Sequence, residues 1–154
     1  MLSLRPFVLT DVNVARTWLD DDDSSRFLAG VAGNVRASMD RQIGHLDGSL
    51  PPIAARLHRW IALHDGEPCG VMWCDEYLHV SPLSAKIAYV INPAFRGQRL
   101  CTPMLLAVME DLALVRVWIA YADPANTASV ACLRRAGFTQ FGSDQGQTVY
   151  RLQR

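Results

Sequence analysis

Residues 94–111 read AFRGQRLCTPMLLAVMED: two arginines around a glycine, then a thiol, a hydroxyl, a proline and an apolar run. Backbone N–H groups converge at the start of a helix and the dipole there favours an anion, so a helix behind this turn would cradle a phosphate. Gly97 would let the anion come close, and Arg99 keeps a backbone donor while adding a guanidinium for a charge-assisted contact. A plain strand-to-helix turn with solvated arginines is the other reading of the same residues. A second stretch, DPANTASVACLRRAGF at 123–138, places Asn126 and Ser129 as cap and first-turn residues of a short helix that Gly137 closes.

Cys69, Cys74, Cys101 and Cys132 lie far apart, with no Cys-x-x-Cys pair and no histidine at ligand spacing. That pattern indicates neither a metal site nor a disulfide framework and predicts reduced thiols. Cys101, at the start of the expected helix, is the thiol a helix dipole would acidify, with a small packing residue as the alternative. Cys132 reads as a core residue. Four consecutive carboxylates, Asp20, Asp21, Asp22 and Asp23, suit the positive start of a helix better than the negative end of one, which puts a helix break near Asp20.

The elements that must position these groups follow from periodicity and turn chemistry. LSLRPFVL alternates as a strand, and Thr10 caps a helix that carries Val14, Ala15, Trp18 and Leu19. A second helix is expected over 37–46, ended by the loop DGSLPP. RLHRWIAL and CGVMWCDEYLHV flank an Asp65-Gly66 turn, and SPLS returns the chain into AKIAYVI, giving three antiparallel strands in a row. After the glycine turn a helix is expected from Pro103 to Leu114, then the strand VRVWIAYA, the short helix, and a closing hairpin FTQFGS/TVYRLQ. The order β, α, α, β, β, β, α, β, α, β, β predicts an α+β fold around one mixed, mostly antiparallel sheet of about seven strands and about four helices.

With 154 residues, 1–154 is expected to be a single domain, a size that buries roughly 70% of the surface its unfolded chain exposes. Half the residues are hydrophobic, the formal net charge is zero, and the apolar runs stop well short of the ~20 residues a membrane helix needs. No membrane is expected as a partner. The basic residues are nearly all arginine, with Lys86 the only lysine, and they are scattered, so no footprint for nucleic acid exists. The opening MLSLRPFVLTD lacks the features of a signal peptide, which makes the cytoplasm the expected compartment. An exposed edge strand in the closing hairpin leaves a homodimer open.

The opening LRPF…LTD, the block YVINPAFRGQRLCTPMLLAVMED and the block DPANTASVACLRRAGF together resemble the GNAT family of N-acetyltransferases, which use acetyl-CoA to acetylate amines, over essentially the whole chain. The resemblance implies acetyl-CoA as co-substrate, no metal, and direct attack by a primary amine: a small amine, an aminoglycoside-like compound or a protein N-terminus. It implies cofactor contacts from Tyr89, Val90 and Ile91 on the third antiparallel strand, from Arg96, Gly97, Gln98, Arg99, Leu100, Cys101 and Thr102 in the turn, and from Asn126 and Ser129. The chain departs from the family pattern where Arg99 and Cys101 fill two small-residue positions, and where Leu133 stands in place of a tyrosine that donates to the departing thiolate. Branches that acetylate ribosomal-protein N-termini often lack that tyrosine, whereas the Asp-Pro before Asn126 and the Ala-Gly-Phe ending look like aminoglycoside 6′-N-acetyltransferases. Glu76 and Asp123 are the implied proton acceptors, and strand alternation turns Asp75 and Glu76 to opposite faces. Tyr121 is the implied donor, and His79 a relay near neutral pH. The acidic stretch from Asp20 would form a wall suited to a polycationic acceptor, with a solubilising helix start as the alternative. The competing reading is a non-catalytic acyl-CoA-binding sensor of the same fold.

Overall fold

The computed structural model describes residues 1–22, 27 and 55–154. These residues form β1 (Leu2–Pro6), α1 (Val12–Leu19), β2 (Ala55–His64), β3 (Glu67–Tyr77), β4 (Ser84–Ile91), α2 (Cys101–Asp111), β5 (Val117–Ala122), α3 (Thr127–Arg135), β6 (Thr139–Asp144) and β7 (Gln147–Gln153). The helix expected over 37–46 and its loop lie outside the described residues. All seven strands join one sheet in the order β1-β2-β3-β4-β5-β7-β6. Every pairing is antiparallel except β4 with β5. This is the mixed, mostly antiparallel α+β sheet that the element order implies.

Two hairpins turn on consecutive residues with positive φ, Asp65 (51°) with Gly66 (89°) and Gln145 (48°) with Gly146 (81°). That backbone matches the right-handed twist of the flanking strands. The first helix starts differently from the expected Thr10 cap. A 3-10 turn over Leu9–Asp11 precedes it. The Asp11 carboxylate accepts the Val8 N–H at 2.9 Å and grips the Arg5 guanidinium at 2.7 and 2.8 Å. The hydrogen bond from Arg5 holds the Asp11 carboxyl below the usual carboxylate range, so the corner between β1 and α1 is pinned by a charge pair rather than by a hydroxyl.

Strand alternation sorts the core into two layers. Trp60, Ala62, Met72, Cys74, Ile87, Trp118 and Ala120 point to one face and pack with Met104, Leu105, Val108 and Met109 of α2 and Cys132 and Leu133 of α3. Ile61, Val71, Trp73 and Val90 point to the other, where Ala15, Trp18 and Leu19 of α1 cover them. Each buried Leu or Met side chain contributes roughly 1.5–3 kcal/mol, so α2 is anchored mainly by burial. It runs from Cys101 to Asp111 rather than from Pro103 to Leu114. Pro103 fits as the third helical residue because N–H groups of the first turn have no partner within the helix. At the other end Leu112 leaves helical geometry and Leu114 is exposed.

Helix α2 approaches β3 at Gly70. A Cβ there would lie 2.5 Å from Met104 Cε and 2.8 Å from the Val90 carbonyl oxygen. Met104 can swing away, but the Val90 carbonyl belongs to the neighbouring strand and cannot. Gly70→Ala is therefore expected to cost about 1–3 kcal/mol, read as a fall in the urea midpoint at unchanged slope; an unchanged midpoint would mean that β3 and β4 are not in this register.

Candidate active site

The β4–β5 pairing is short. Only Ser84, Ala85 and Lys86 pair with Val117, Trp118 and Ile119, and beyond that point the two strands part. β4 stays paired with β3 as far as Ile91, and β5 with β7 as far as Ala122, so each keeps its outer neighbour while losing its inner one. A wedge opens between them towards their C-terminal ends. The orientation of the backbone is fixed from both sides. The Leu83 carbonyl accepts from Val117 N–H, and the Asn92 N–H donates to the Cys69 carbonyl. By alternation Tyr89 and Ile91 turn their N–H and C=O groups into the wedge, while Val90 turns its own to β3. Of the three strand residues expected at the cofactor, these two present free backbone.

Both strands lead to helix N-termini at the wedge mouth, β4 through residues 92–100 and β5 through residues 123–126, which concentrates partial positive charge and backbone donors there. Behind β4, Gly97 takes φ 77° and Arg99 φ 59°. Arg99 thus adopts the left-handed conformation a glycine would favour, a strain of roughly 1–2 kcal/mol, and its side chain is exposed. Gln98 reaches the Ala94 carbonyl at 3.5 Å. Leu100 is the N-cap of α2, and no side chain caps the helix. The N–H groups of Cys101 and Thr102 therefore face the turn without an intrahelical partner. Arg96 does not extend into solvent: its guanidinium donates to Asp21 at 2.6 Å, tying the acidic stretch after α1 to this turn.

Behind β5, Asn126 caps α3 by accepting the Ser129 N–H at 3.2 Å. Ser129 in turn meets the Tyr89 hydroxyl at 2.7 Å, a bond that crosses the wedge from β4 to α3. Burial pushes the Tyr89 phenol up to about 12, against the opposing pull of the Ser129 hydrogen bond. Such a phenol keeps its proton at any neutral pH, and either hydroxyl of the Tyr89–Ser129 pair can donate to the other. The sequence places Tyr89 at the cofactor through its backbone only; its hydroxyl could have been found from the side-chain alternation that aims residue 89 at the helix carrying Ser129. Leu133 is buried in the core one turn further along α3, so no hydroxyl comes from that position.

The expectation of four reduced thiols is corrected. Cys101 and Cys132 form a disulfide with a Cα–Cα distance of 6.0 Å, while Cys69 and Cys74 are free and buried. The first residue of α2 and the middle of α3 are brought side by side by packing on one sheet face, a proximity that a 31-residue separation conceals. Thr102 Oγ1 also donates to the Cys132 carbonyl at 3.4 Å. Burial pushes the Cys74 thiol up to about 12, so it is no nucleophile.

The remaining predicted residues divide. Asp123 follows β5 at the mouth, where its Oδ1 accepts the Ala125 N–H at 2.8 Å. Tyr121 lies one residue before Ala122 on the wedge edge, with its ring on the α1 face under the Lys86 ammonium, 5.0 Å from its centroid. Glu76 pairs in register with Ala85, at the closed end of the sheet. It is buried and bonded to His58 Nε2 at 2.7 Å. His79 lies exposed in the β3–β4 turn, also at the closed end. Among the described residues no group of His, Cys, Asp and Glu could hold a metal ion, and no helix is long and apolar enough to cross a membrane.

The model of the GNAT acetyltransferase domain matches residues 1–139. Among solved structures, the aminoglycoside acetyltransferase AAC(6′)-Ib with coenzyme A and kanamycin aligns at a TM-score of 0.75 and 20% identity, over 100% of this chain and 95% of that one. The aminoglycoside N(6′)-acetyltransferase of Legionella pneumophila aligns at 0.81 and 13% identity, over 99% and 91%. The N-acetyltransferase PseH of Campylobacter jejuni with acetyl coenzyme A aligns at 0.66 and 12% identity, over 100% and 99%. No curated protein matches by sequence.

The Tyr89 phenol gives a signed pH effect. Its folded value lies above the ordinary ~10, so between about pH 10 and 12 the folded chain binds more protons than the unfolded one, and stability falls as pH rises through that window. Tyr89→Phe is expected to lower stability at neutral pH by about 1 kcal/mol and to flatten the alkaline decline in urea denaturation. An equally steep decline in the variant would show that Tyr89 is not buried against Ser129.

Proposed function

The chain belongs to the GNAT acetyltransferase domain family, and on that footing we propose that it transfers an acetyl group from acetyl-CoA to a primary amine held at the β4–β5 wedge. The observation that carries this reading is the wedge itself: unpaired strand backbone running up to an uncapped helix N-terminus. The pyrophosphate of the cofactor meets the N–H groups of residues 97–102, where Gly97 leaves room and the dipole of α2 favours negative charge. Because Asp21 holds Arg96, the turn contributes mainly backbone donors, with Arg99 free to reach an outer phosphate. The pantetheine arm lies along β4 and takes the hydrogen bonds of Tyr89 and Ile91 that β5 has given up.

Transfer then needs three things: an uncharged amine in line with the thioester carbonyl, donors for the oxyanion, and a route for one proton. The inner-edge N–H of Tyr121, which the arm does not use, supplies a donor for the oxyanion. Tyr89, backed by Ser129, donates a hydrogen bond to the departing sulfur in place of the family tyrosine that Leu133 replaces. Asp123 is the carboxylate at the mouth and receives the amine proton directly or through water, with Tyr121 beside it. Glu76 is left out of this scheme because His58 occupies it at the opposite end of β3. The acceptor we propose is a polyamine-like or aminoglycoside-like cation, supported by the acidic residues that follow α1 and by the kanamycin present in a structural neighbour. The compartment we propose is the cytoplasm, where acetyl-CoA is made and used and where the Cys101–Cys132 pair would meet a reducing pool.

Arg99 and Cys101 at the two small positions, and Leu133, favour one second reading, an acyl-CoA-binding module without turnover. Thiol release from acetyl-CoA, followed against aminoglycosides, polyamines and peptides with free N-termini, separates the two. The expected result is release with at least one class, a loss of about 10²-fold in kcat for Tyr89→Phe, and little change in KM for acetyl-CoA. Binding of acetyl-CoA without release to any amine would favour the module.

A further inference from the structure

Lys86 is the only lysine in the chain. Every other basic side chain of the Lys/Arg type is a guanidinium, which offers no amine to an acyl donor. Its position is not that of an arbitrary surface residue. Lys86 is the last residue of β4 to pair with β5, opposite Ile119, so it stands at the apex where the wedge begins. It is exposed, and its side chain leaves the sheet on the α1 face, away from α2 and α3. The ammonium leans towards the opening: it sits 5.0 Å from the ring centroid of Tyr121, two residues beyond the last paired position on β5. Its cross-strand neighbour on β3 is Asp75, whose carboxylate is taken by Arg59 at 3.0 Å.

The strand that carries Lys86 is also the strand along which the cofactor arm would lie. From Ile91, nearest the phosphate turn, back to Lys86 is five residues, roughly 17 Å at about 3.4 Å per residue. An arm that enters past Ile91 and bonds to Ile91 and Tyr89 carries its thioester into that span, and the Lys86 ammonium, leaning over Tyr121, reaches back from its inner end.

We propose that Lys86 is a self-acetylation site, an amine of the protein itself that takes the acetyl group from acetyl-CoA seated in the wedge. This rests on the acetyl-transfer reading above. In the step, Lys86 Nζ gives up a proton to solvent and its lone pair attacks the thioester carbonyl carbon. The carbon–nitrogen bond forms, the carbon–sulfur bond breaks, CoA leaves as a thiolate, and the second proton that Nζ loses on becoming an amide goes to that thiolate. The product is a neutral amide. Acetylation removes the charge that Lys86 places over Tyr121 and so changes the electrostatics of the inner end of the wedge.

The test is peptide-level mass spectrometry of the full chain incubated with acetyl-CoA alone, with thiol release against the amine panel measured on the same sample. The expected result is one acetyl group on Lys86. Its rate saturates with acetyl-CoA, is independent of protein concentration, is suppressed by excess CoA, and exceeds that of the same chain unfolded in guanidinium chloride by at least about tenfold. In Lys86→Arg no internal peptide gains an acetyl group, and circular dichroism checks that this variant is folded. A rate that is linear in acetyl-CoA and equal in the unfolded chain, or one that rises with protein concentration, would overturn the proposal. Release to an external amine with Lys86 unmodified would overturn self-acetylation alone, whereas neither release nor modification would overturn both readings.

Discussion

Everything at the site depends on two adjacent parallel strands that stop pairing after three residues each. An unpaired backbone group in a protein interior is costly, so strands rarely part without something between them. Here each strand keeps its outer partner, β3 for β4 and β7 for β5, and the loss is confined to the inner edges. Tyr89 and Ile91 on one side and Tyr121 on the other are left with groups that a ligand can satisfy. The separation is held by packing on one face. α2 and α3 lie side by side there, joined by Cys101–Cys132 and by the Thr102 hydroxyl, and each follows directly from one of the diverging strands. The Tyr89–Ser129 bond spans the gap at its base. The helix N-termini that would bind phosphate and the backbone that would bind the arm are therefore consequences of a single topological break.

The opposite face has a different character. α1 covers Ile61, Val71, Trp73 and Val90 with three buried side chains, and its entry is fixed by Arg5 and Asp11. Beyond it the chain turns acidic and Asp21 closes on Arg96 at 2.6 Å, so the two sides of the wedge mouth are linked by charge. Both partners are about a third exposed, 32% and 28%, and solvent screens the pair to a modest contribution. Its value is positional: it keeps the Arg96 side chain beside the turn, where backbone N–H groups remain the main donors. Lys86 and Tyr121 occupy the same face, beside the point where the wedge opens.

Much of this was legible in the residues. Asp65-Gly66 and the turn before Gln147 announce hairpins because few residue pairs take two positive φ values, and the alternation through 56–63 and 85–91 places those strands within a residue, whereas the run 69–80 overshoots the end of β3 at Tyr77 by the apolar residues of the turn. The helix caps at Asn126 and Gly137 read directly as well. Helix α2 was displaced because proline marks a first turn without saying which of its positions it fills. The cysteine pair was invisible since its members are on different helices, and nothing local shows that two helices will lie side by side. Asp11 was hidden behind Thr10, itself a capping type, because its role depends on the Arg5 guanidinium six residues back. At the site, the turn and Asn126 carried their chemistry in their order. The pairing of Glu76 with His58 did not, because it depends on register across strands, and for the Tyr89 hydroxyl alternation gives the face but not the partner on α3.

The central claim is that the wedge is where the cofactor lies, and amide hydrogen exchange read by NMR at single residues tests it most directly. In the free chain the N–H groups of Tyr89 and Ile91 should exchange quickly while that of Val90, bonded to β3, is protected. Addition of CoA should slow Tyr89 and Ile91 and leave Val90 as it was. Protection of all three in the free chain, or no change at Tyr89 and Ile91 when CoA saturates the protein, would contradict the account.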